Sequence, residues 1–319
     1  MGRSRGGPAK VAVVSSAFMG SLSGSAVSNI LTTGTITIPA MKRSGYSREY
    51  AAAVEACAST GGTLMPPVMG AVAFIMASFL GVSYGEVMLA ALLPAVLFYL
   101  ALLLQVDNYA ARKGLMGMPA KDIPRVRDTL LSGWPYLLSL GVLIYMLLVM
   151  RLESQAPYYA TLILLAIALV RRQQRLRISQ LLDFFYQLAH GVGSLVAVLA
   201  GIGLVVGGLS YTGVAGAFSR ELLLYAGDSI PLMLAAGAIT SFILGMGMTV
   251  SACYIFLSIL LAPALVGAGL NPLASHLFIL YWGMLSYITP PVALAAITAA
   301  GVAGANSTRT SLHAVRLGA

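Results

Sequence analysis

Two short clusters of glycine and hydroxyl residues interrupt an otherwise apolar chain. They are Gly20-Ser21-Leu22-Ser23-Gly24-Ser25 and Gly245-Met246-Gly247-Met248-Thr249. Two more precede proline pairs: Ser59-Thr60-Gly61-Gly62-Thr63 before Pro66-Pro67, and Ser286 with Thr289 before Pro290-Pro291. Hydroxyl and main-chain carbonyl oxygens are hard donors, the kind that hold Na⁺ where a membrane helix unwinds. A proline pair breaks a helix, because proline has no N–H and its ring clashes with the preceding turn. The first half-helix then ends on bare carbonyls, a cation site. The second half begins on N–H groups and a positive dipole end, an anion site.

Ser23, Ser25, Asn29 and Thr33 follow the first reversal, and Thr249 and Ser251 follow the second. For any one of them, a hydroxyl bonded back to its own helix is an equal alternative; as an ensemble they read as a site. Glu55 falls about one and a half turns into its helix and reads as an interfacial or scaffold contact rather than a proton carrier. Asp183 and Asp228 fall near the membrane faces. With no acid at the expected midplane, a proton carrier is disfavoured and Na⁺ is favoured as the coupling ion. No other metal, cofactor or catalytic residue is expected. Cys57 and Cys253 stand apart in apolar segments and read as buried thiols. His190, His276 and His313 are scattered. No GxxxxGK[ST] loop is present, so this chain does not use ATP.

These residues must be carried by membrane helices. Of 319 residues, 59% are hydrophobic and 9% charged, whereas a soluble domain carries about 25% charge. The net charge of +9 comes from clusters between apolar runs, not from a basic stripe, so nucleic acid is not an expected partner. Met1 to Pro8 lack the apolar core of a signal peptide. Residues 87–106, 133–150, 156–171 and 185–208 each approach the roughly 20 apolar residues that span a bilayer. Residues 50–80 and 274–304 are too long for one straight span, and each is broken by its proline pair. Residues 12–41 and 230–266 carry glycines at their centres, poor in a helix and good at a reversal. Both read as re-entrant hairpins, with close helix packing through small residues as the alternative.

The two halves repeat. Pro39, Gly45, Pro66 and Pro67 have counterparts 224 residues on, at Pro263, Gly269, Pro290 and Pro291. Gly24 to Ser28 aligns with Gly247 to Ser251, offset by 223. Each half reads as hairpin, proline, glycine turn and broken helix. If the first hairpin opens to the inside, every Lys and Arg except Arg151 and Arg220 lies on the inner side. That includes Arg112, Lys113, Lys121, Arg125 and Arg127 in one loop and Arg171, Arg172, Arg175 and Arg177 in another, with residues 210–228 along the outer face. The bias matches the positive-inside rule and makes the halves inverted copies, a pattern of secondary transporters. The expected fold is an all-α polytopic membrane protein. Residues 12–80 and 230–304 form inverted-repeat transport units, joined by connecting and scaffold helices over 87–208.

The stretches GSLSGSAVSNILTTGTITIPAMKRSGY, EACASTGGTLMPPVMGAVAFIMA, GMGMTVSACYIFLSILLAPAL and LSYITPPVALAAITAAGVAGA resemble the large membrane subunit of TRAP transporters, most closely the fused TAXI-type permeases. The resemblance covers nearly the whole chain. It implies an elevator-type permease of the bacterial inner membrane, importing a small organic acid, often a carboxylate, on the Na⁺ gradient after delivery by a periplasmic binding protein. It places Na⁺ ligands at Gly20, Ser21, Ser23, Gly24 and Ser25 with Thr60, Gly61 and Gly62, and at Gly245, Gly247 and Thr249 with Ser286 and Thr289. Substrate contacts are expected at Ser25, Asn29, Thr63, Pro66, Pro67, Thr249, Ser251, Pro290 and Pro291. By length the chain reads as part of a longer permease, with further helices or a small membrane subunit as partners in the bilayer. A symporter working without a binding protein is the alternative. A membrane enzyme would want an acid, base or metal cluster, and a channel a ring of like residues.

Overall fold

The computed structural model describes residues 1–118, 126–170, 178–227 and 229–318. Lys121, Arg125, Arg171, Arg172, Arg175 and Arg177, used above for orientation, and Asp228, read as near a membrane face, lie outside them. The described residues divide into two compact units, one of residues 1–82, 86–123 and 208–319 and the other of 83–85 and 124–207.

The first unit holds both repeats. The first hairpin has one arm in α1 (Gly7–Ser23), reverses at Gly24, and returns through α2 (Ala26–Asn29), a π-helical turn (Ile30–Gly34) and α3 (Thr35–Arg43). Its first arm starts earlier than residue 12, because Pro8 suits the first helical turn, where its missing N–H is not needed. Gly24 takes φ 62, a left-handed conformation open to glycine at little cost. Ser25 then caps α2 by accepting from Ser28 N. The broken helix follows as α4 (Arg48–Gly62), an interruption, and α5 (Ala71–Leu80).

The long α6 (Tyr84–Lys113) was counted above with the connecting helices. Beyond its first residues it belongs to the repeat unit, where Tyr99 Oη donates to Ala58 O at 2.7 Å and the Tyr109 ring stacks on Tyr50 at 3.5 Å. Near its end Asp107 pairs with Arg5 and, at 2.6 Å, with Lys10.

The second hairpin is α11 (Ile230–Gly245), a tip at Met246 to Met248, then α12 (Val250–Leu260) and α13 (Ala262–Gly267). Its broken helix is α14 (Pro272–Leu285) and α15 (Leu294–Ala303). The repeat is visible in the backbone. Gly45 and Gly269 share φ 94 and 88, and Met69 and Ala293 share φ 54 and 36. Both proline pairs are cis. Thr249 caps α12 by accepting from Ala252 N, as Ser25 caps α2. These caps are 224 apart, so the slip in the repeat falls between Gly24 and Ser25, ahead of Ser25 to Ser28, which the sequence alignment paired at offset 223 with Met248 to Ser251.

The copies interlock. The first hairpin packs on α4 and the second on α14, while α15 crosses to α4 and α5 to α12 and α14. Two elements were not foreseen. Residues 214–226 form α10 (Val214–Ala226), packed on α11, α12 and α13. The tail forms α16 (Ser307–Gly318), which covers α4; Cys57 Sγ contacts Ala314 O at 3.2 Å. Both cysteines are buried and unpaired.

The second unit contains α7 (Val126–Leu148), α8 (Ala156–Val170) and most of α9 (Ile178–Tyr211). Ser139 Oγ ties α7 to α8 through Ala160 O at 2.9 Å. Among the described residues, Tyr84–Lys113, Arg127–Leu148 and Ile178–Tyr211 are long and apolar enough to cross a membrane. On α6 the residues Leu89, Leu93, Leu97, Leu100 and Leu104 are exposed, while Ala91, Ala95, Tyr99, Leu102 and Val106 are buried. A stripe of exposed leucines of this length suits lipid, not water.

Candidate functional site

Each hairpin tip meets its own broken helix. In the first repeat the approach is glycine on glycine. A Cβ at Gly20 would lie 2.6 Å from Gly62 Cα, and one at Gly24 would lie 2.2 Å from Gly70 Cα. In the second repeat a Cβ at Gly245 would lie 2.5 Å from Gly283 O, and Tyr287 Oη donates to Met248 O at 2.9 Å. The two interruptions also meet, since Thr63 Oγ1 contacts Met284 Sδ at 3.5 Å. Gly20, Gly24, Gly62, Thr63 and Gly245 are thus drawn together, along with Gly70, Gly283 and Tyr287, which sequence reasoning missed. Gly283 and Tyr287 flank Ser286, and that was the available signal.

The carbonyls read as bare are partly engaged. Those of Thr60, Gly61 and Gly62 accept from the amides of Thr63, Leu64 and Met65, and those of Met284 and Leu285 accept from Tyr287 and Ile288. The Gly62 carbonyl keeps a second lone pair, whereas those of Thr60 and Leu285 take a second hydrogen bond from a hydroxyl. Thr63 Oγ1 donates to Thr60 O, Ser286 Oγ to Gly283 O and Thr289 Oγ1 to Leu285 O, at 2.7–2.8 Å. Thr60 differs. Its Oγ1 is buried without a hydrogen-bond partner, an arrangement that leaves an oxygen free for a ligand. Gly61 faces the Phe98 ring.

The remaining expected residues separate by depth. Ser23, Ser25 and Thr249 are exposed at the tips, as is Gly247, with open space around it. Ser21 is buried and bonds Phe18 O at 2.8 Å. Ser251, Pro66, Pro67 and Pro290 are half-buried and Pro291 exposed. Asn29 is buried and turned into the hairpin: Nδ2 donates to Ser16 O at 2.8 Å, and Oδ1 lies 3.2 Å from Thr33 Oγ1. The two second half-helices differ at their starts. On α15, Ala295 N and Ala296 N donate to Tyr287 O, so its first N–H groups are engaged. On α5, Gly70 gives no side-chain cap.

Glu55, read from sequence as an interfacial or scaffold contact, is wholly buried within the protein. Its Oε1 accepts from Ser16 Oγ and Thr33 Oγ1 at 2.6 Å and from Ser59 Oγ at 3.3 Å, and its Oε2 accepts from Thr37 Oγ1 at 2.5 Å. Counting turns along α4 gave the depth along the axis but not what packs around it. Ser16, Thr33 and Thr37 arrive from α1, the π-turn and α3. The inference of Na⁺ from a missing acid therefore loses its premise.

An all-helical chain with several long apolar helices, and with each glycine-rich reversal packed on its own interrupted helix, is a helical membrane protein. The family model described as "Tripartite ATP-independent periplasmic transporter, DctM component" matches residues 1–316, and the chain belongs to that family. It is 25% identical to the isethionate TRAP transporter permease protein DctMQ of Oleidesulfovibrio alaskensis, over 96% of this chain and 48% of that protein. It is 36% identical to the C4-dicarboxylate TRAP transporter large permease protein DctM of Vibrio cholerae, over 36% of this chain and 25% of that one. An uncharacterised protein, y4mL of Sinorhizobium fredii, is 33% identical over 41% of this chain and 30% of its own length. The chain spans less than half the length of these relatives.

Proposed function

We propose that this chain is the ion- and substrate-gripping part of a Na⁺-coupled permease of the bacterial inner membrane. The permease takes a small organic acid from a periplasmic binding protein and carries it by an elevator movement of the two repeats, working with further permease helices or a small membrane subunit. The printed substrates of two relatives, isethionate and C4-dicarboxylates, are small organic anions, which supports that substrate class. The carboxylate is the form expected here.

The observation that carries the ion reading is the unpartnered Thr60 hydroxyl, with the Gly62 carbonyl, which accepts from Met65 N, two residues on. Thr60, Gly61 and Gly62 would hold Na⁺ with the tip residues Gly20 to Ser25, and Ser286 and Thr289 would do so with Gly245 to Thr249. Na⁺ would supply charge next to the anion. The chain's own part is to bring tip and interruption together and keep water out.

The test is uptake of radiolabelled C4-dicarboxylates and isethionate by the full-length permease in proteoliposomes, with and without a Na⁺ gradient and its binding protein. Thr60→Val should raise the half-saturating Na⁺ concentration about tenfold, as loss of roughly 1.4 kcal/mol of ion binding would. Uptake indifferent to Na⁺ in the wild type would remove the coupling.

A further inference from the structure

Glu55 is the one buried carboxylate among the described residues, and it joins both arms of the first hairpin to α4. Ser16 comes from one arm, Thr33 and Thr37 from the other, and Ser59 from α4 itself. No cation balances it: among the described residues, ion pairs form between Asp107 and Arg5 or Lys10. A buried charge without a partner is costly, and an ionisable group inside a membrane is kept for a purpose.

The arrangement of hydroxyls distinguishes a fixed charge from a changing one. A permanent carboxylate needs only donors. A neutral carboxyl also needs an acceptor for its own proton, and the donor that yields to it needs somewhere else to donate. Both are present. Thr37 Oγ1 lies 2.5 Å from Glu55 Oε2 and 3.0 Å from Thr33 O. Thr33 Oγ1 lies 2.6 Å from Glu55 Oε1 and 2.8 Å from Asn29 O. Ionised, Glu55 takes all four hydroxyl protons. Protonated on Oε2, it donates to Thr37, which turns to the Thr33 carbonyl, and Thr33 can turn to Asn29. Every group is satisfied either way.

We propose that Glu55 is a proton-binding site whose occupancy sets how tightly the first hairpin grips α4. A proton delivered by water forms the Oε2–H bond; on release it returns to water. When Glu55 is ionised, its hydroxyl bonds tie both arms to α4. When it is neutral, Thr33 turns to Asn29 O and the bonds that remain, from Glu55 to Thr37 among them, are no longer charge-assisted, so the grip weakens. The π-turn, a frequent mark of functional helices, presents Thr33 at this point.

Titratable neighbours are few. On α6, Tyr99 donates to Ala58 O. On α4 itself, Cys57 turns to Ala314 O. On α3, Lys42 reaches Ala303 O, with Arg43 beside it in the last turn. On α1, Lys10 bonds Asp107. On α16, His313 lies against Tyr50 and Arg316 lies in the last turn. The π-turn, α2 and α15 carry none.

The site rests on reading this chain as a moving transport unit, and its test does not use transport. Infrared difference spectra of the full-length permease in lipid, titrated with pH, follow the carbonyl stretch of a protonated carboxyl. The expected result is a band that grows reversibly as pH falls, shifts when glutamate is ¹³C-labelled, and is absent in Glu55→Gln. A carboxyl that stays protonated or ionised at every pH overturns the proposal, as does a band that survives in Glu55→Gln. Should that variant not fold, the labelled wild type decides by whether a slowly deuterating glutamate band titrates. Titration without uptake sinks the transport reading alone; uptake without titration sinks the proton site alone.

Discussion

Gly24→Ala should lower the unfolding temperature of the full-length permease sharply and abolish uptake, whereas Gly247→Ala should do neither to the same degree. The residues hold matching places in the repeat and both take positive φ, 62 and 81. A side chain there costs about 1–2 kcal/mol in backbone strain. What differs is the surroundings. A Cβ at Gly24 meets Gly70 Cα at 2.2 Å, while one at Gly247 has nothing within 4 Å. Backbone cannot swing aside as a side chain tip can, so forcing the contact adds about 1–3 kcal/mol. It also moves the first tip away from the start of α5. Thermal unfolding in detergent and uptake in proteoliposomes measure the two effects. Equal behaviour of the two variants would mean that the tip does not rest on the interruption.

Glu55→Leu should destabilise the permease more than Glu55→Gln. Leucine removes the acceptor shared by Ser16, Thr33, Thr37 and Ser59. Thr33 and Thr37 have main-chain carbonyls to turn to. Ser16 and Ser59 lose their carboxylate partner in a buried site, at about 1–3 kcal/mol for each group left unmet. Glutamine keeps an acceptor for them and gives its own N–H to Thr37. Chemical denaturation of both variants should therefore rank leucine well below glutamine, with glutamine near the wild type. The reverse order would mean that the hydroxyls do not depend on the carboxylate for their bonding.

The contrast between these sites shows what a sequence conveys here. Prolines and glycines announce local backbone geometry, so the interruptions at Pro66-Pro67 and Pro290-Pro291 and the reversals at Gly24 and Gly247 were legible from residue type alone. So was the repeat, because the same backbone is needed twice. The surroundings of Glu55 were not legible, because Ser16, Thr33 and Thr37 converge on it from separate elements and each, seen alone, is an ordinary helix hydroxyl. The close approaches of Gly62 to Gly20 and Gly283 to Gly245 depend likewise on packing between elements. The α16 helix went unread because it is short and polar on one face, without the apolar run that marks the others. The free hydroxyl of Thr60 was named among the oxygens of its cluster, but its lack of a partner emerged only when the neighbours were in place.

Residues 12–41 and 230–266 should each enter and leave on one side of the membrane, and on opposite sides from one another. Thiol labelling tests it directly. In the full-length permease lacking Cys57 and Cys253, single cysteines replace Ser4, Arg43, Ser229 and Val266, one near each hairpin end, and a membrane-impermeant maleimide is applied from either face of sealed vesicles. Ser4→Cys and Arg43→Cys should react from the cytoplasmic face only, and Ser229→Cys and Val266→Cys from the periplasmic face only. If the two ends of either hairpin react from opposite faces, that segment crosses the bilayer and the inverted-hairpin account is wrong.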